Sequence, residues 1–274
     1  MEARRKIRAA CIQLNAGCDW RRNLARTLRL AETALRRRAK IIALPENFCA
    51  RGPAADLDHQ SRIVTPSVVE TFRALARKEK AAFLLGSVIE TSPHKGRYYN
   101  TSLLISETGK ITARYRKIHL FDIGLKTMQV RESKHIVPGK SAMSAKVFGQ
   151  SAGLTVCYDL RFPELYRRLV EKGCRLFFVP ANFTQRTGLA HWEVLLRARA
   201  IENQAFVLAP AQTGKHPESG IRSYGNSLIL DPWGRVLAQG SGGREEVITA
   251  DLDFGYQTAL RREFPVLKHR RVKG

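Results

Sequence analysis

Apolar and polar positions alternate in short blocks along this chain, and the blocks read as strands and helices in turn. Residues 7–14 form a short apolar segment that predicts a strand. Asp19 is placed to cap the next helix, where Trp20, Leu24, Leu28, Ala31 and Leu35 recur on one face. Residues 40–44 predict a short buried strand that stops at Pro45-Glu46. Thr65-Pro66 reads as a cap followed by proline at the first helical position, opening a helix to about Lys80. Residues 81–91 and 99–106 read as strands. Glu107-Thr108-Gly109 then turns the chain into another strand ending near Lys117.

The second half repeats the scheme. Residues 153–156 predict a strand, and residues 162–173 a helix with Pro163 near its start and Gly173 at its end. A strand over 175–179 ends at Pro180. A long helix over 188–204 follows, with Trp192, Leu195, Leu196, Ala200 and Ile201 inward. Residues 206–211, 227–230 and 247–252 are further strands, and Pro232-Trp233-Gly234 is a turn. Gly240-Ser241-Gly242-Gly243 lacks the strand–helix context of a phosphate loop and reads as a hairpin turn. Such alternation predicts a layered α/β fold. No linker, low-complexity tract or short repeat interrupts it, so one domain over residues 1–274 is expected. The basic tail, residues 261–274, is expected to lie on the surface.

Composition narrows the class. With 44% hydrophobic residues in 274, a sizeable core can be buried. No apolar run approaches the ~20 residues of a membrane-spanning helix. The basic start leads into no signal-peptide pattern, so a cytoplasmic location and no membrane partner are expected. Five scattered cysteines, Cys11, Cys18, Cys49, Cys157 and Cys174, include no C-x-x-C pair. That argues against a disulfide framework and against zinc. The net charge of +23 is spread widely, with short clusters at residues 4–6, 36–38 and 270–271. A basic face of this kind can serve nucleic acid or simply solvate the surface and draw small anions. No nucleic-acid-binding motif accompanies it, so no nucleic-acid partner is expected.

Three positions carry candidate chemistry. Glu46 follows a buried strand, a frequent place for ligand-binding groups in α/β sheets. Arg116 and Lys117 are adjacent at a strand end, so one can face water and the other the sheet. Cys157 sits on the turn between an apolar strand and the helix near Pro163. Such a turn lifts a side chain from the sheet and offers N–H groups for an oxyanion. No Cys–His pairing stands out, so a thiolate here would need another base and a nearby cation. Glu46 and Lys117 can supply both, although residue types and spacing alone do not single this trio out.

Three segments, taken in order, resemble the nitrilase superfamily of carbon–nitrogen hydrolases. They are Leu44-Pro45-Glu46-Asn47-Phe48, then Tyr115-Arg116-Lys117-Ile118-His119-Leu120-Phe121-Asp122, then Val156-Cys157-Tyr158-Asp159-Leu160-Arg161-Phe162-Pro163-Glu164. The resemblance runs from about Ile7 to Arg271. It implies an αββα four-layer sandwich, with Glu46 as general base, Lys117 as cationic stabiliser and Cys157 as nucleophile. Glu132 resembles the family's second glutamate. Thr187 to Glu193, Arg197 to Gln204, Ser223 to Ser227, Asp231 to Gly234 and Phe264 to Arg271 resemble the amidase branch. That branch implies hydrolysis of a small carboxylate-bearing amide, of the kind of deaminated glutathione or 2-oxoglutaramate, through a cysteine thioester. A nitrile or carbamoyl amide is the alternative substrate, and a basic binding protein on the same fold the non-enzymatic one. The N–H of Tyr158 would join the oxyanion site. Arg161 would bind the substrate carboxylate or else pair with Asp159 or Glu164, and Phe183 and Thr187 would line the pocket. No metal or organic cofactor is implied, and a homodimer is.

Overall fold

The computed structural model describes residues 6–125, 128–216 and 220–272. Arg4 and Arg5 of the first basic cluster, and residues 273–274 of the tail, lie outside them. The chain opens with β1 (Lys6–Gln13), α1 (Trp20–Arg36) and β2 (Ile41–Ala43). Asp19 caps α1, its Oδ1 accepting the Arg22 amide at 3.1 Å. The deepest stripe of α1 is Asn23, Thr27, Ala31 and Ala34, while Leu24, Leu28 and Leu35 flank it half-buried. The leucine face is therefore rotated off the core by about one position. Asn23 explains this: its amide donates to the carbonyls of Gly17 and Cys49 at 2.8 Å each, joining two loops beneath the helix.

α2 (Leu57–His59) runs through a π-turn, Gln60–Val64, straight into α3 (Thr65–Glu79). Thr65 is therefore not a cap. Its hydroxyl donates to Ile89 O at 2.6 Å and ties the helix to β3 (Ala82–Thr91). Pro66 withholds one helical N–H at the junction, and the wider π-turn before it takes up the mismatch. β4 (Tyr98–Ile105) and β5 (Ile111–Arg116) follow as expected, then an unanticipated hairpin of β6 (Asp122–Leu125) and β7 (Met128–Arg131).

The second half supplies β8 (Met143–Val147), β9 (Gln150–Leu154), a 3₁₀ turn at Cys157–Arg161, α4 (Pro163–Glu171), β10 (Leu176–Phe178), α5 (Gln185–Asn203) and β11 (Phe206–Ala209). The small hairpin β12 (Thr213–Lys215) and β13 (Arg222–Tyr224) precedes β14 (Leu228–Leu230), β15 (Val236–Gln239), β16 (Glu246–Asp253) and α6 (Phe254–Glu263). On α5, Trp192, Leu196 and Ala200 face inward as expected, but Ile201 is 51% exposed. Arg199 takes an inward place instead, its guanidinium donating to Leu160 O at 2.9 and 3.1 Å. The described part of the tail, residues 261–272, contains no buried residue and lies on the surface as expected. It leaves α6, whose Phe254, Gln257 and Leu260 are buried, with the Gln257 amide bonding the carbonyls of Arg175 and Gln204 at 2.8 Å.

One six-stranded sheet runs β16-β1-β2-β3-β4-β5, the other β15-β14-β11-β10-β9-β8. The glycine-rich run at 240–243 joins β15 to β16 and so crosses between sheets, where a hairpin was expected. Gln13 holds the crossover by donating to Arg244 O at 2.9 Å. Between the sheets, Ala9, Cys11, Ala43 and Leu84 meet Ala152, Leu154, Leu176 and Phe178 in one core. Ala10, Ile12, Ile42 and Phe83 face the other way and pack under Ala31 of α1 and Phe72 of α3. α4 and α5 cover the second sheet, with Tyr166 edge-on to Phe177 at 5.1 Å. The layers are α, β, β and α. No helix of the described residues is long and apolar enough to cross a membrane.

β2 lies parallel to β1 and β3, and β9, β10 and β11 are mutually parallel, so both sheets present C-terminal strand ends. Glu46, Cys157 and Asn182 all follow such ends. Gly86 decides how closely the Glu46 loop packs on β3: a Cβ there would lie 1.9 Å from Leu44 O and 2.5 Å from Pro45 O. Gly86→Ala is therefore expected to cost about 3 kcal/mol, the upper end of overpacking penalties, because only backbone can yield. Urea denaturation reads this, and an unchanged midpoint would contradict it.

Candidate active site

Cys157 occupies a strained turn. Its φ is +50°, a left-handed conformation for a residue with a Cβ. Buried hydrogen bonds hold it there. The Cys157 amide donates to Pro180 O at 2.8 Å. The Val156 amide and the Tyr115 hydroxyl donate to Asp159 Oδ2 at 2.8 and 2.7 Å. The other carboxylate oxygen takes the His119 amide at 3.1 Å and its ring Nδ1 at 2.7 Å. The His119 ring in turn stacks on Phe162, 3.7 Å between centroids. Asp159 is thus a buried clamp, leaving no place for Arg161. Arg161 pairs with neither Asp159 nor Glu164: it lies across the rings of Phe183 and Tyr158 at 5.3 and 5.6 Å, with Nη1 3.2 Å from His191 Nδ1.

The second part is a buried ionic cluster. Lys117 is only 2% exposed, whereas Arg116 on the opposite side lies over Tyr99. Lys117 Nζ donates to Glu46 Oε1 at 2.9 Å and to Glu132 Oε2 at 2.9 Å. The Asn100 amide bridges the same two carboxylates, 3.1 Å from Glu46 and 3.0 Å from Glu132. The Phe121 amide completes Glu132 at 2.7 Å. The Glu46 backbone is anchored by Gln212, whose Nε2 donates to its carbonyl at 2.9 Å. Lys117 and Glu132 both keep their charges. Burial opposes the Lys117 ammonium, but the pull of Glu132 and then Glu46 outweighs it and raises its pKa. Burial likewise opposes ionised Glu132, yet Lys117 and the hydrogen bonds of Phe121 and Asn100 leave its pKa lowered.

The Cys157 thiol touches this cluster. Its side chain lies beside Glu46 and the backbone N–H of Asn182. Burial and then the charge of Glu46 push its pKa well up, against the weaker pull of Lys117 and the Asn182 N–H. At neutral pH it is therefore a thiol, beside the Glu46 carboxyl. The Cys157 amide is already bonded to Pro180, but the Tyr158 amide lies in the first turn of the 3₁₀ segment, where no intrahelical acceptor exists.

The sequence-predicted residues Tyr158, Arg161, Phe183 and Thr187 line a narrow cleft of about 10 Å³ with Cys157. Phe121, Asn182 and Thr184 connect it to a larger chamber of about 420 Å³ bordered by Asn100 and Glu132. Asn100, Asn182 and Arg51 were not anticipated from sequence. Asn182 carried a usable signal, since it follows Pro180 at a strand end just as Glu46 follows Pro45.

Comparison with known proteins gives the family. The carbon-nitrogen hydrolase family model matches residues 8–262. A deaminated glutathione amidase of Synechocystis is 36% identical over 96% of this chain and 97% of its own. The structure of the Caenorhabditis elegans NitFhit protein superposes with a TM-score of 0.91 at 36% identity, over 98% of this chain and 66% of that one. A mutant amidase from Nesterenkonia, at TM-score 0.78 and 26% identity over 94% of this chain and 95% of its own, carries the acetamide moiety of fluoroacetamide on its active-site cysteine. With the match spanning nearly all of the two sheets and both halves of the buried cluster, the chain belongs to the carbon-nitrogen hydrolase family.

Proposed function

We propose that this chain is an amidase converting a small carboxylate-bearing amide to the acid and ammonia, with Cys157 as nucleophile. The supporting observation is a buried thiol against Glu46, whose carboxylate is 2.9 Å from the Lys117 ammonium. Glu46 takes the thiol proton as Sγ attacks the amide carbonyl. Lys117 and the Tyr158 N–H stabilise the oxyanion, each such donor contributing about 3–4 kcal/mol. The C–N bond breaks as Glu46 returns its proton to the nitrogen, and ammonia leaves a Cys157 thioester. Glu46 then deprotonates a water that attacks the thioester, restoring the thiol and releasing the acid. Glu132 keeps Lys117 and Asn100 aligned throughout. Tyr158, Arg161, Phe183 and Thr187 wall the acyl group.

The name of the Synechocystis relative and the arginines of the chamber wall support this substrate class. Ammonia release from deaminated glutathione, 2-oxoglutaramate and a simple aliphatic nitrile tests the reading. At least one of the two amides is expected to exceed the nitrile by about 100-fold in kcat/KM. Preference for the nitrile, or ammonia from none of the three, would overturn it.

We further place this activity in a cytoplasmic homodimer. Val194 and Ile201 lie two turns apart on α5, and Trp233 sits 6.0 Å from Phe264 beside them. All four are 49–68% exposed, an apolar patch that a second copy would cover. Sedimentation of the 30.9 kDa chain as a monomer would exclude this.

A further inference from the structure

We propose that Arg51 is the anchor for the anionic end of the substrate, set in the chamber wall and coupled to the nucleophile through Ser223 and Asn182. The proposal rests on the amidase reading and names the site that reading lacks.

Arg51 is held by its backbone. Its amide donates to Gly17 O at 2.9 Å. Its carbonyl takes the Cys18 thiol at 3.1 Å and meets the His216 Nε2 at 2.5 Å. The guanidinium faces the chamber with Asn182, Ser223 and His216. Its protein partners there are neutral oxygens: Nη2 donates to Ser223 Oγ at 3.2 Å, and Nη1 reaches Ala16 O at 3.5 Å. Among the described residues no carboxylate lies within ion-pairing distance of it, although sixteen of the chain's other ion pairs engage arginine or lysine. A guanidinium has five N–H donors in a planar fork, so two weak contacts leave capacity for a bidentate carboxylate.

Burial brings the Arg51 pKa down to about 10, so the group still carries its charge at neutral pH. The charge of Glu46 acts on it only from beyond ion-pairing distance and does not offset that burial, so a bound anion would remove an electrostatic cost. Arg131 also lines the chamber but is exposed, where solvent screens it. Arg161 is a poorer anchor, because it lies over two rings in a cleft of only about 10 Å³. The chamber, at about 420 Å³, is within the size range of small-molecule sites.

The coupling runs through two hydrogen-bonded residues. Ser223 Oγ accepts from Arg51 and donates to Asn182 Oδ1 at 2.7 Å. The backbone N–H of the same Asn182 meets the Cys157 thiol. An anion seated on Arg51 is thus tied, through one serine and one asparagine, to the wall that the chamber shares with the Cys157 cleft.

The test compares glutaramate, which carries a carboxylate, with valeramide, its neutral counterpart of equal chain length. Arg51→Met is expected to raise KM for glutaramate about 100-fold with kcat and valeramide kcat/KM changed less than about threefold. Arg51→Lys, which keeps the charge without the fork, should recover about tenfold of that loss. Equal losses on both amides, or an unchanged KM for glutaramate, would overturn the anchor. If the wild type turns over neither amide, the amidase reading is judged by the deaminated glutathione and 2-oxoglutaramate assays, and calorimetry with glutarate judges the anchor alone. Glutarate binding that disappears in Arg51→Met sustains it, and no binding to the wild type rejects it.

Discussion

Cys157→Ala is expected to lower kcat by about 10,000-fold or more while leaving the fold as it is. The thioester route needs Sγ, and no neighbour can replace it: the other chamber nucleophiles, Ser223 and Thr184, are engaged with Asn182 and Thr187. What survives is the slow attack of water on an amide polarised by Lys117 and the Tyr158 N–H. The stability prediction is as specific. Alanine and cysteine suffer the same left-handed strain at φ +50°, and every hydrogen bond holding the turn is made by backbone or by Asp159. The loss should stay below about 1 kcal/mol, a small buried group and no cap or clamp. Ammonia assays and thermal unfolding read both quantities. Activity within tenfold of wild type would remove Cys157 from the mechanism, and a collapsed melting point would make it structural.

Lys117→Met is expected to abolish turnover and to destabilise the protein by about 3–5 kcal/mol, because it leaves buried carboxylates without their cation. Glu46 and Glu132 would then share only Asn100. The pH dependence separates this from ordinary packing loss. In the wild type Glu132 has a lowered pKa, so its contribution is present above its ordinary 4.5 and is lost as pH falls through the lower folded value. Lys117 has a raised pKa, so its contribution is present below its ordinary 10.5 and is lost only above that. Wild-type stability from this cluster therefore spans the interval between them. Without the ammonium, burial dominates at Glu132 and its pKa rises, so the variant gains stability as pH falls from 8 to 5. Urea midpoints at those two pH values measure the slope. A variant that parallels the wild type would show that the three charges are not coupled as described.

Much of the architecture could be read from residue order, and the failures have physical causes. Strand and helix blocks were visible because most face a core with a clear period. Periodicity turns Ile201 inward, but Arg199, a charged residue, claims an inward position by bonding Leu160 O, a partner periodicity cannot reveal. The run at 240–243 has the turn chemistry of a hairpin, but local chemistry does not say which sheet the next strand joins. The site divides similarly. Glu46, Lys117, Glu132 and Cys157 stood out only through resemblance to a family, since their spacing carries no geometric rule. Asn100 lies inside an apolar strand, where its bridging role depends on two glutamates far away in the chain. Arg51 sits in a loop without period, one arginine among many in a chain of net charge +23. Its distinction, a half-buried guanidinium on neutral partners, exists only once the loops converge.

The most direct test of the account is to map where fluoroacetamide reacts. The Cys157 thiol is expected to displace fluoride and take up one acetamide group per chain, with activity lost in step and substrate slowing both. Cys11, Cys49 and Cys174 are buried without a neighbouring carboxylate base, and Cys18 bonds Arg51 O, so none should compete. Label confined to the Cys157 peptide is the predicted result. Inactivation with the label on another cysteine, or complete labelling of Cys157 with activity intact, would contradict the claim that this thiol attacks the substrate.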